Sequence, residues 1–200
     1  MPGARAKVPL LEVRENDSDD VFLMTESLVV ADYVAEMFGT TTTSNNKGSN
    51  FPLLPASAKD RAITRLFTEL CGGAFGYFPI LRAAEGEKRD AAVQTLKEGL
   101  IQANAFLKHH QSSPFLLGER FSLAECNAAP FVQRACTILP AFCQIDPIQL
   151  CDELDLPHLQ RWMEAVLARS SVIDTGVSKE KLLEGTTAML ERFAAMEQLQ

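Results

Sequence analysis

The sequence predicts a mainly α-helical protein, a short α/β unit followed by an all-helical bundle. Three observations carry this. Two brief apolar runs with a polar turn between them precede the first helical pattern. From residue 57 to near the C-terminus, apolar residues recur at helical spacing. Between these regions lies a polar, low-complexity stretch. The expected organisation is residues 1–38 as the α/β unit, 39–55 as a linker and 56–200 as the helical domain.

Composition bounds the function. Of 200 residues, 46% are hydrophobic, enough for a core. With 19 basic and 26 acidic side chains the net charge is −7 and the pI near 5.0. Such a chain lacks the basic surface that nucleic acid or an anionic membrane requires. No apolar run approaches the length of a membrane span. The start, Met1-Pro-Gly-Ala-Arg-Ala, has no apolar segment of a secretion signal. Cys71, Cys126, Cys136, Cys143 and Cys151 are odd in number, form no C-x-x-C pair and mostly lie in apolar helical settings. Neither a disulfide framework nor a metal site is expected. The expectation is a reduced, cytoplasmic protein.

The elements follow in order. Val8-Pro-Leu-Leu-Glu-Val13 and Val21-Phe-Leu-Met24 read as strands, with Arg14–Asp20 as the turn. Thr25-Glu26-Ser27 starts a helix over Leu28–Phe38, closed by Gly39. After Pro55, Ser57 and Asp60 can cap a helix whose apolar positions are Ile63, Leu66, Phe67, Leu70, Ala74 and Phe78. Gly72, Gly73, Gly76 and Pro79 weaken or kink it. Phe75, Tyr77 and Phe78 admit two readings, core aromatics or the wall of an apolar pocket. Ala92, Leu96, Leu100, Ala103, Phe106 and Leu107 mark the next helix, which should pair with the helix after Ser122. His109 and His110 read as surface histidines at its end. Leu159, Trp162, Met163, Val166 and Leu167 mark another helix with Pro157 near its first turn, and Trp162 should anchor the core. The last helix starts near Lys179, with Leu182, Thr186, Met189, Leu190 and Phe193 on one stripe.

The most informative stretch is Phe115-Leu-Leu-Gly-Glu-Arg-Phe-Ser-Leu-Ala-Glu125 with the apolar run to Leu139. Ser122 and Glu125 have capping-box spacing, and Phe121 can act as a hydrophobic staple on Cys126. The run that follows is apolar nearly all round, as a buried central helix would be. Pro130 inside it should introduce a kink.

A Gly-x-x-aromatic-Ser-x-Ala-acid box opening a central helix resembles the glutathione transferase family. It is similar to the start of the core helix in that family's all-helical C-terminal domain, with Glu125 where aspartate is usual. Ser113-Pro-Phe-Leu-Leu-Gly, Phe121-Ser-Leu-Ala-Glu and Ala129-Pro-Phe-Val-Gln-Arg134 look closest to the cysteine-type omega and lambda branches. Lys7-Val-Pro-Leu-Leu-Glu, the strand pair and Thr25-Glu-Ser resemble the second half of the family's thioredoxin-like domain. The resemblance implies a cis proline at Pro9, backbone bonds from Val8 to the cysteinyl part of glutathione, and Glu26 and Ser27 holding its γ-glutamyl end. A helix N-terminus suits a carboxylate in any case. It also implies that the helix of Phe75, Tyr77 and Phe78 faces a second-substrate site.

The sequence departs from the family at its start. The family places a strand, a helix and a strand ahead of Lys7, with the cysteine, serine or tyrosine that activates the glutathione thiol. This sequence has no counterpart, and no catalytic residue is assigned. Two functions are therefore expected. One is thiol transfer, or glutathione-dependent reduction or conjugation of a small electrophile or disulfide, with glutathione as co-substrate. The other is a non-catalytic binding module. The resemblance also implies a homodimer.

Overall fold

The computed structural model describes residues 8–14, 21–38, 53–83 and 85–197. Most of the expected turn, Gly39 and the polar stretch up to Pro52 lie outside the described residues. The chain divides into two compact units, Met1–Arg61 and Ala62–Gln200.

In the first unit, β1 (Leu10–Arg14) and β2 (Val21–Thr25) pair antiparallel, with Leu10 opposite Thr25 and Arg14 opposite Val21. Side chains alternate across a strand, so Leu11 and Val13 share the half-buried face while Leu10, Glu12 and Arg14 face out. Helix α1 (Ser27–Phe38) follows after one residue and packs on β2. Ala35 is its one buried residue.

Helix α2 (Ala58–Ala74) is capped as expected: Ser57 Oγ accepts from the amide of Asp60 at 3.4 Å. The apolar pattern suggested one kinked helix reaching Phe78. Instead α2 ends at Ala74, and a short α3 (Phe78–Arg82) starts afresh with Pro79 in its first turn. Proline at that position lacks only a donor that would be unpaired anyway. Leu66, counted on the apolar stripe, is solvent-exposed.

The second unit adds α4 (Glu87–His109), α5 (Leu123–Cys143), α6 (Pro147–Glu153), α7 (Pro157–Leu167), α8 (Ser170–Thr175) and α9 (Lys179–Glu197). Leu96, Leu100, Ala103 and Leu107 form the buried stripe of α4. This stripe packs chiefly on α7, which corrects the expected pairing with α5. The reason is partly polar. Asn104, on the same stripe, turns its Oδ1 to the amides of His158 and Leu159, both at 3.0 Å. It thereby caps α7, whose own N-cap, Leu156, has no side-chain acceptor. Gly99 lets α4 lie close to α2, since a Cβ there would stand 2.7 Å from Ala74 Cα.

Helix α5 runs four residues past the expected end and continues through both Pro130 and Pro140. Its C-terminus is closed by Gln144 at φ 58° and by Arg89, whose Nη2 donates to the Cys143 carbonyl at 3.0 Å. Around it lies the core, with Trp162 at its centre. The indole meets Phe67 edge-on at 5.0 Å and stacks with Phe75 at 6.2 Å.

Candidate functional site

The expected glutathione-contacting residues all belong to the first unit. The Leu10–Thr25 pair is the last rung of the hairpin, so the residues before Leu10 and after Thr25 leave from the same end. Val8–Pro9 and Glu26–Ser27 are therefore brought together there. The Val8–Pro9 peptide is cis. Val8 is 95% exposed. Glu26 sits at φ 69°, a left-handed conformation that costs a non-glycine residue about 1–3 kcal/mol. Its carbonyl accepts the first helical bond of α1, from Val30 at 3.0 Å. Ser27 heads the helix, and no acidic residue occupies the first turn. The helix start thus carries the positive end of the helix dipole, with no acidic side chain within its first turn and Glu26 immediately before it.

The three aromatic candidates separate within the second unit. Phe75 is fully buried against Trp162, so it has no surface to offer a ligand in its own unit. The core reading accounts for it. Tyr77 and Phe78 are half-buried. Phe78 meets Phe193 of α9 edge-on at 5.8 Å, and the Arg82 guanidinium lies 4.8 Å from the Phe193 ring.

The capping box at the head of α5 is fully formed. Glu125, with no exposed surface, accepts four hydrogen bonds. Its Oε2 takes the Ser122 amide at 2.8 Å and the Ser122 hydroxyl at 2.7 Å. Its Oε1 takes the Leu116 amide at 2.8 Å and the Trp162 indole at 3.0 Å. The box is therefore the hub that ties loop 110–122 and α7 to α5. Phe121, the proposed staple, packs edge-on against Phe115 at 5.2 Å, and the Arg169 guanidinium lies 4.0 Å from its ring centroid. The turn before it needs Gly118 at φ 76°, with Phe115 and Gly118 exchanging hydrogen bonds at 2.9 and 3.2 Å.

No thiol in the second unit is built for nucleophilic work. All five cysteines are free. Burial pushes Cys71 strongly upward, and the nearby Glu125 carboxylate adds to the effect. Burial likewise pushes Cys126 up to about 11 and Cys136 and Cys151 up to about 12. Among the described residues no cluster of histidine, cysteine and carboxylate could hold a metal. No helix among them is long and apolar enough to cross a membrane. A groove of about 400 Å³ lies between α5 and α8 and contains none of the expected glutathione or second-substrate residues. No local motif in either helix announces it.

Comparison with known proteins identifies the arrangement. Residues 86–165 match the family model for the glutathione S-transferase C-terminal domain. No curated protein matches the chain. Solved structures do. The trimeric glutathione transferase TDR1 of Leishmania superposes with a TM-score of 0.66 at 22% identity, covering 86% of this chain and 36% of that one. Glutathione transferase Omega 1C from Trametes versicolor superposes at 0.65 and 23% identity, covering 92% of this chain and 75% of that one. Rice GST1, solved in complex with glutathione, superposes at 0.63 and 20% identity, covering 86% and 72%. The chain therefore spans little more than a third of the Leishmania protein's length. Residues 86–165 thus match a glutathione S-transferase C-terminal domain, headed at α5 by its capping box, and the chain has the fold of the glutathione transferases on which it superposes.

Proposed function

We propose that this chain binds glutathione through Val8, Pro9, Glu26 and Ser27. The binding serves thiol transfer, or glutathione-dependent reduction or conjugation, toward a small electrophile or disulfide in the cytoplasm. Tyr77 and Phe78 contribute apolar surface for that second substrate, with Phe75 behind them as support. The protein acts as a homodimer.

The observation that carries the reading is Glu26. A left-handed glutamate at the junction of β2 and α1 is costly, and such outliers persist where a site requires them. It leaves the amides of the α1 first turn free for the α-carboxylate of a γ-glutamyl group. Beside it, the 95% exposed Val8 offers its backbone to the cysteinyl part. The rice relative, crystallised with glutathione, supports the choice of ligand.

Titration calorimetry of the purified chain with reduced glutathione tests the reading. Glu26→Ala and Ser27→Ala should each weaken binding at least about tenfold, a loss of roughly 1.4 kcal/mol. Cys71→Ser should leave it unchanged, because that thiol is sealed in the core. Absence of binding at millimolar glutathione, or equal affinity in both first-unit variants, overturns it.

A further inference from the structure

At the outer side of β2 an apolar sequence and an unfinished hydrogen-bond ladder coincide. Among the described residues the sheet has two strands, so β2 pairs with β1 along one side only. Alternate residues of a strand direct their amide and carbonyl to either side. The outer side of β2 therefore presents backbone groups that another strand can use.

The two strands differ in what guards them. β1 carries Glu12 and Arg14, an ion pair on its outward face, and charged side chains discourage edge-to-edge pairing. β2 reads Val21-Phe-Leu-Met-Thr25, with no charge and no proline. Val21, Phe22 and Leu23 each leave about half of their surface in water. The register sorts them by face. Val21, Leu23 and Thr25 stand opposite Arg14, Glu12 and Leu10 on the outward face. Phe22 and Met24 stand opposite Val13 and Leu11 on the half-buried face, and of these four only Phe22 is exposed.

We propose that β2 pairs antiparallel with β2 of a second copy, across a two-fold axis at Leu23, making a continuous four-stranded sheet. This rests on the homodimer reading and assigns its contact surface. The strand is complementary to itself in that register. Leu23 faces the partner's Leu23, Val21 faces the partner's Thr25, and Phe22 faces the partner's Met24. β-Branched pairs and a thioether against an aromatic ring are favourable neighbours, and no like charges meet among the five paired residues. A two-fold pairing uses the same edge of both copies, so it closes at two. The charged outward face of β1 guards the other side against further growth. Five paired residues a side bury less than the roughly 1,000 Å² of a stable interface, so the dimer is reversible on dilution.

Analytical ultracentrifugation of the full chain over a concentration series tests this. The parent should show a monomer–dimer equilibrium. Leu23→Lys and Leu23→Glu each set like charges against one another across the axis and should weaken self-association at least about tenfold. Mixed in equal amounts, the two variants should associate again, opposite charges now facing. Leu23 is exposed, so both variants should keep the parent's circular dichroism. Phe38→Ser removes an exposed apolar side chain of α1, away from the strand edge, and should leave self-association unchanged. A parent that stays monomeric at hundreds of micromolar overturns the homodimer reading and this proposal with it. A dimer that either Leu23 variant leaves intact, that Phe38→Ser dissociates, or that the mixed variants fail to restore overturns the strand pairing alone.

Discussion

In the helical unit, Phe67, Phe75 and Trp162 are at most 1% exposed, whereas in the hairpin unit Val8 is 95%, Phe22 57% and Phe38 70% exposed. Both regions are apolar in sequence. The difference lies in what covers them. The helical unit places neighbours on several sides of α5, so its apolar side chains and the Glu125 carboxylate are enclosed. Among its described residues the hairpin unit offers a two-stranded sheet and helix α1, and a two-stranded sheet is marginal by itself. Apolar sequence thus becomes a core only where enough elements exist to close over it.

The largest expected effect is a gap in hydrogen exchange. Backbone amides of β1 and β2 should exchange at least roughly a thousandfold faster than those of Val132–Leu139, because opening the hairpin exposes little new surface. Equal protection of the two segments in a monomer would erase the contrast.

The next effect sharpens the contrast from the helical side. Glu125→Ala strands four buried donors and should cost at least about 3 kcal/mol. Ser122→Ala removes the cap oxygen and should cost about 1 kcal/mol, up to about 2. Both are read as shifts of the denaturant midpoint at constant slope. A Glu125→Ala loss no larger than that of Ser122→Ala would mean the hub contributes only as a cap.

The smallest effect concerns the thiols. Native protein at about pH 8 should resist iodoacetamide at all five cysteines and react fully once unfolded. An intramolecular disulfide in most molecules would contradict this. The raised thiols also set an alkaline limit. The folded chain keeps protons on Cys126 up to about 11 and on Cys136 up to about 12, which the unfolded chain releases at about 8.5. Stability is therefore complete below about pH 8.5 and falls as pH rises through that window. A denaturant midpoint constant from about pH 8 to 10.5 would show the thiols to be more accessible than their burial implies.

Much of this was legible because the signals are local. The Ser122–Glu125 box, the stripes of α4, α7 and α9, and the strand pair are written in neighbouring residues. What escaped has no local signature. Nothing near Asn104 announces that it caps a helix 54 residues later. Nothing near Glu125 announces Trp162, 37 residues on. The Gly72–Pro79 region reads as a weakened helix, and only the geometry distinguishes a kink from a stop and a restart. In the candidate glutathione site the residues could be named, but not the left-handed backbone of Glu26, since glutamate has no preference for it. The groove between α5 and α8 depends on two helices whose facing could not be deduced from either alone.

The cap supplied by Asn104 also bears on the order in which the molecule assembles. A helix with its own serine or aspartate cap can begin as a local event. The start of α7 is completed only once α4 has docked, at the cost of closing the intervening chain. That makes α7 a late and non-local participant, coupled to α4 rather than nucleated by itself. The two helices should form and melt as one cooperative block, and weakening the Asn104 contact should speed unfolding more than it slows folding.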